Sequence, residues 1–354
     1  MTSTRDPWLD NAKLALVTLV VVGHAWTLLP DNARDGHLYD FLYAWHVPAF
    51  VLVTGYLSKS FDYSPHRLWL LVRTVAVPYL IFECALALFR TYVGGERLQD
   101  LFADPHWPLW YLTALFCWRL LTPVLRAIPA ALAVAVVVSL VLGIVAPTTL
   151  DLARVVGFLP FFAMGLLATP ERLALLRRPL ARILAVPVLA VIWLLTAHTD
   201  SFASTGWLYY RSTYDALGVD NLHGMLIRAG LLVVGTAGAL AFLALVPPVR
   251  TRLTALGQMT LVVYLCHGFF VLGARYAGYE TWTADHPLLG LAITTVAAVG
   301  VALLLAWRPV SRVLEHLVDP LGYAQHRVHH AVELTVVADQ VDEVREPVES
   351  RLRG

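Results

Sequence analysis

Charge is scarce in this chain. Only 14% of its 354 residues are charged, against about 25% in ordinary soluble domains. Lysine is almost missing, at Lys13 and Lys59 alone, so the basic residues are nearly all arginine. The formal net charge of +1 excludes the strongly basic face that a nucleic-acid partner demands. Cysteine occurs three times, at Cys84, Cys117 and Cys266, each inside an apolar stretch. Those spacings fit neither a zinc site nor a redox pair, and the three read as small core side chains. Acids are rare inside the apolar stretches, with Glu83 the exception, and no internal repeat is evident. Both absences disfavour a proton-coupled transporter built from inverted repeats.

Apolar residues are what the chain has in excess, at 58%, with a mean hydropathy of +0.66. They fall into ten stretches, approximately 13–30, 40–58, 68–91, 108–125, 130–146, 154–169, 183–198, 224–246, 255–276 and 287–307. Isolated strands cannot satisfy their backbone in lipid, so the fold class predicted is all-α, a polytopic transmembrane bundle of about ten spans. The second stretch is predicted to break near Pro48. The first has no small-residue cleavage pattern after it and reads as a retained helix rather than a signal peptide.

Arginine clusters mark alternate joints: Lys59, Arg67 and Arg73; Arg126; Arg172, Arg177, Arg178 and Arg182; Arg250 and Arg252; Arg308 and Arg312. That alternation predicts cytoplasmic termini in a multi-pass protein of the cell membrane. Residues 1–310 form one membrane domain in this reading, and 311–354 a polar cytoplasmic tail without a catalytic signature. The loop 199–223, rich in Trp, Tyr, Asp and Ser, is either a lid over a site or an interfacial aromatic belt.

Histidine carries the chemistry. His24 lies deep in the first apolar stretch, and His46 at a similar depth in the second. A buried imidazole in a membrane is costly, so it marks either a functional cavity or a hydrogen bond that ties two helices. A neutral imidazole takes a proton from a hydroxyl near physiological pH. His267 is a third buried imidazole, but no carboxylate set accompanies the three, and no metal is predicted. Lys13 sits three turns before His24, where it meets an anionic ligand or snorkels to headgroups. Arg67 and Arg73 open the third stretch; guanidinium forks suit the phosphates of a nucleotide-like ligand, and the alternative is an ordinary basic flank. Arg73, deeper than Arg67, needs a partner.

Several segments together resemble the acyltransferase 3 family of integral membrane acyltransferases, in particular its fucose 4-O-acetylase-like branch. They are Asp10-Asn-Ala-Lys13 with ten residues before His24, and Phe41-Leu-Tyr-Ala-Trp-His46-Val-Pro48-Ala-Phe50 running on to Thr54-Gly55-Tyr56. Arg73 through Pro78, Pro108-Leu-Trp110-Tyr111-Leu112, Phe158 through Gly165, and Gly257 through Tyr264 and His267 complete the set, in the family's order.

The resemblance implies transfer of an acyl group, usually acetyl from acetyl-CoA as co-substrate, to a hydroxyl of a carbohydrate or glycoside acceptor. It implies His24 as general base or transient acyl carrier, with His46 as a second catalytic candidate. Lys13 stands where the family commonly has arginine, and with Arg67 and Arg73 it is implied at the CoA phosphates; the family's paired arginines are usually closer together than these two. Asp10, Trp110, Tyr111 and His267 are carried as substrate-side positions. No metal and no nucleic-acid partner are implied. The rival reading is a polytopic proton-coupled transporter or exporter of a sugar or lipid, which would need several membrane-embedded acids.

Overall fold

The computed structural model describes residues 5–30, 36–98, 102–147, 149–198, 204–325 and 327. Among these residues every regular element is a helix. The first four are α1 (Pro7–Ala25), α2 (His37–Leu57), α3 (Pro65–Tyr92, with a π turn at Val72–Ala76) and α4 (Trp110–Ala127). Then come α5 (Ala131–Leu142), α6 (Leu152–Gly157), α7 (Leu159–Leu167), α8 (Pro170–Leu176) and α9 (Pro179–Thr196). The last are α10 (Asn221–Leu245), α11 (Thr260–Tyr276), α12 (Tyr279–Asp285), α13 (Pro287–Ala306) and α14 (Arg308–Val318).

Each of the ten apolar stretches coincides with helix, though not all are equally apolar. By length and composition five helices can cross a bilayer among the described residues: α1 with its short 3-10 extension, α3, α9, α10 and α13. The number becomes seven if two bent pairs each count as one span, the pair around Phe158 bent by 55° and the α11–α12 pair by 68°. Helices α2 and α4 fall short because polar residues dilute them. In α2 these include Asp40 and His46, both buried, and in α4 Arg119 and Arg126. Helix α5 has only 12 residues.

The expected break at Pro48 is absent: α2 runs through it without interruption. Proline removes one backbone donor from a helix. Here α2 is enclosed by α1, α7, α9 and α10, which hold it straight. Gly55 and Gly165 make the α2–α7 crossing tight, since a Cβ on Gly55 would strike the Phe162 carbonyl and one on Gly165 the Leu52 carbonyl. Small residues at a helix crossing allow this close approach in membranes. Pro78 does disturb its helix: the π turn one residue upstream of α3's second segment absorbs the missing donor.

The foot of α1 is fixed by its own motif. Asp6 caps the helix by accepting from Trp8 N at 3.0 Å. Asn11 Nδ2 donates to the carbonyls of Pro247 and Val249, each at 2.9 Å, and Asn11 Oδ1 accepts from Thr254 Oγ1 at 2.7 Å. The cysteines correct one sequence reading: only Cys266 is buried, whereas Cys84 is exposed on α3. The polar tail begins in α14, and residues 326 and 328–354 lie outside the described set.

Candidate functional site

The three histidines come from α1, α2 and α11 and all are buried. His24 Nδ1 lies 2.7 Å from His267 Nε2. The other nitrogen of His267, Nδ1, faces the carbonyls of Tyr264 at 2.7 Å and Val263 at 3.2 Å. Carbonyl oxygens only accept, so His267 Nδ1 carries the hydrogen and its Nε2 is bare when the ring is neutral. His24 Nδ1 must then donate across the 2.7 Å contact, which leaves His24 Nε2 with a free lone pair. The tautomers follow from the hydrogen-bond network. His46 is set in the same way, its Nδ1 donating to Leu42 O at 2.8 Å. Both bare Nε2 atoms belong to rings that line one cavity.

That central cavity, of about 410 Å³, has His24, His46, Trp107, Trp110, Tyr111 and Tyr264 in its wall. Trp107 packs over the His24 ring with centroids 4.4 Å apart, and Tyr43 meets the His46 ring edge-on at 4.7 Å. The described part of the 199–223 loop closes one side through Tyr209, Arg211 and Ser212. Its Trp207, Tyr210 and Tyr214 are buried rather than spread along an interface. Arg228 of α10 holds two of them, its guanidinium lying 5.3 Å from the Tyr210 ring and 4.9 Å from Tyr214. The described part of the loop, 204–223, is thus packed against the cavity wall rather than laid out as an interfacial belt.

Two further chambers adjoin. A polar vestibule of about 280 Å³ shares Trp107, Arg154 and Arg211 with the central cavity. Another chamber, of about 300 Å³, shares Phe50, Tyr111 and Tyr264 with it and carries Lys13 and Arg119. Between this chamber and the histidines a hydrogen bond joins the Thr54 and Tyr111 hydroxyls. Tyr264 OH donates to Pro108 O. The cationic chamber and the histidine cavity therefore meet at a partition of three aromatic rings.

The candidates from sequence separate accordingly. His24, His46, Trp110 and Tyr111 share the central cavity, with His267 behind His24. Lys13 reaches the adjoining chamber, and Asp10 holds it there at 2.8 Å without lining either space. Arg67 lies in neither. Arg73 is turned toward the end of α14, where Nη2 pairs with Asp319 Oδ2 at 2.6 Å and Nη1 donates to Gln325 at 3.2 Å.

Three participants escaped the sequence reading. Arg119 and Arg154 carried a legible signal, a guanidinium within or opening an apolar stretch. The third is His106, whose backbone N–H donates to the fully buried Glu83 at 3.1 Å and whose ring meets the same carboxylate. His106 lies in a joint between stretches and nothing local marks it. Its carboxylate clamp fixes the segment that delivers Trp107 to His24. Among the described residues no group of three or more His, Cys, Asp or Glu is arranged to hold a metal ion.

Comparison with known proteins adds the following. A family model described as an acyltransferase domain, acyltransferase 3, matches residues 6–307. Two nodulation proteins NolL are similar. The one from Sinorhizobium fredii is 25% identical over 351 residues, covering 91% of each chain. The one from Mesorhizobium japonicum is 27% identical over 180 residues, covering 47% of this chain and about half, 48%, of its own length. No solved structure matches.

Proposed function

The chain belongs to the acyltransferase 3 family of membrane acyltransferases, and from that premise we propose that it moves an acetyl group from acetyl-CoA to a hydroxyl of a carbohydrate or glycoside. The observation that carries this reading is the bare Nε2 of His24, held by His267 in a cavity of sugar-ring size lined with aromatic rings. A general base must present a lone pair, not a hydrogen, to the hydroxyl it activates.

In this mechanism His24 Nε2 takes the hydroxyl proton as the acceptor oxygen attacks the thioester carbonyl. The new C–O bond forms and the C–S bond breaks. His24 returns its proton to the departing thiolate, giving the ester and free CoA with no net change at the protein. His46, the second imidazole with a bare Nε2, orients the acceptor hydroxyl. Lys13 and Arg119 in the adjoining chamber match the negative charge of the donor, and Arg67 and Arg73 are further candidates for its phosphates. The acyl arm then passes between Phe50 and the Thr54–Tyr111 pair.

The alternating arginines support a multi-pass protein of the cell membrane with cytoplasmic termini, ten crossings, and donor entry from the cytoplasm. Residues 1–310 form the catalytic domain and 311–354 the tail in this picture. Membranes expressing wild type, His24→Ala or His46→Ala, given labelled acetyl-CoA and a panel of glycosides, test the reading. Label in a glycoside with wild type and its loss with His24→Ala at equal expression is the expected result. Full labelling with His24→Ala would remove it from the chemistry.

A further inference from the structure

The charge balance where the central cavity opens into the vestibule is uneven. Arg154 and Arg211 line both spaces. Arg154 lies over the Trp110 ring, 5.1 Å from its centroid. With the described residues it makes one hydrogen bond, from Nη1 to Asp151 Oδ2 at a long 3.4 Å. Arg211 Nε meets the other oxygen of Asp151 at 3.2 Å. Two guanidiniums thus share one buried carboxylate.

The remaining acid nearby is Asp104, which accepts from Arg211 Nη2 at 2.9 Å. Asp104 is of a different kind from Asp151: its side chain is 51% exposed, that of Asp151 2%. An exposed ion pair adds little to stability, so Asp104 yields to a competing anion with little loss. Asp151 stays. It is fixed by a left-handed backbone at φ 53°, and Tyr210, next to Arg211, has the same geometry at φ 55°. Non-glycine residues hold such conformations only where surrounding structure demands them. The other cavity arginine, Arg275, is already occupied by Glu280 at 2.8 Å.

Arg97 lines the vestibule as well, with no ion pair among the described residues, while Arg90 there is matched by Glu96. Arg97, Arg154 and Arg211 thus outnumber Asp104 and Asp151 by one positive charge, where the vestibule joins the histidine cavity. We propose that Arg154 and Arg211 bind an oxyanion carried by the acceptor itself, a carboxylate or phosphate on the sugar that is acetylated. The proposal rests on the acyl-transfer reading for what happens to that acceptor. A planar guanidinium pair suits such a group, because each fork gives two parallel N–H bonds to two oxygens. Displacement of Asp104 opens the Arg211 fork to the substrate, and the Nε and Nη2 donors of Arg154 meet the same group.

The test uses the full chain purified in detergent with 4-nitrophenyl β-glucoside and 4-nitrophenyl β-glucuronide, which differ only at C6, a hydroxymethyl in the first and a carboxylate in the second. With labelled acetyl-CoA the glucuronide is expected to have a kcat/KM higher by about tenfold or more, the range of a hydrogen bond to a charged group. Arg211→Gln should bring the ratio of the two towards one, and Arg211→Lys should restore part of it. Glucose 6-phosphate, run beside glucose, shows whether phosphate takes the place of carboxylate. A second readout needs no donor: the glucuronide should raise the melting temperature of wild type more than the glucoside does. Equal or better use of both neutral sugars, with equal melting shifts, overturns the proposal. If no sugar is acetylated, the acyl-transfer reading fails, while the melting shifts still decide whether the site selects an anion.

Discussion

His24 and His267 share one hydrogen bond, Nδ1 to Nε2 at 2.7 Å, and its direction is dictated from outside the pair. The backbone carbonyl of Tyr264 decides the tautomer of His267, and His267 decides that of His24. General-base catalysis by a positioned side chain contributes roughly 10²–10⁴-fold, and a wrong tautomer forfeits much of it. His267→Leu should lower kcat by about a hundredfold with little change in KM for the donor. His267→Gln, whose amide oxygen still accepts from His24, should retain more. Steady-state transfer of labelled acetyl to a glycoside checks both, and equal activity in the two variants would show that tautomer control is unimportant.

Tyr111 and Thr54 close the partition between the cationic chamber and the histidine cavity. Tyr111→Ala joins the two spaces and admits water to the thioester. Donor hydrolysis without acceptor should rise several-fold relative to transfer. Free thiol released in the absence of glycoside measures it; a constant ratio would mean that the pair is not a barrier.

Gly165 packs against the Leu52 carbonyl, a backbone atom that cannot swing aside. Gly165→Ala forces the α2–α7 crossing apart, and overpacking of this kind costs about 1–3 kcal/mol. The melting temperature in detergent should drop by several degrees. Gly300→Ala is the control, since a Cβ there meets nothing within 4 Å. Equal melting of the two variants would contradict the tight crossing.

Arg73 is held by Asp319 through both Nε and Nη2, at 2.9 Å and 2.6 Å. If Arg73 serves the donor phosphates, Asp319 competes with them. Asp319→Asn should then lower KM for acetyl-CoA by up to about fivefold, the most that a partly exposed ion pair allows, with kcat unchanged. An unchanged KM would confine Arg73 to holding α14 against α3.

The helices were legible in the sequence because a long apolar run leaves the backbone no other way to satisfy itself in lipid. The shared cavity of His24 and His46 was legible too, from equal depth in neighbouring stretches. What sequence did not give was direction. Arg73 has the depth of a ligand contact, yet the π turn before Pro78 belongs to a segment whose guanidinium meets Asp319, 246 residues away. Lys13 was placed near the cytoplasmic face, and its route to the chamber depends on the Asp10 contact. Arg119, inside the stretch 108–125, and Arg154, at the start of 154–169, were readable as charges in apolar surroundings but were not singled out. His106 gave no local sign, because its importance lies in Glu83, a residue on another helix. Pro48 misled in the opposite sense: an enclosed helix tolerates the missing bond that would break an unsupported one.

The hydroxyl pair of Thr54 and Tyr111 also bears on the membrane as an insulator. Two wettable chambers that approach each other end to end are the beginnings of a conducting pore. A continuous column of water past His24 and His46 would short-circuit a proton gradient. The three rings and one hydrogen bond between the chambers form a plug only a side chain thick. On the proposed mechanism a narrow acyl arm would fill the gap it opens, so that transfer and insulation need not conflict.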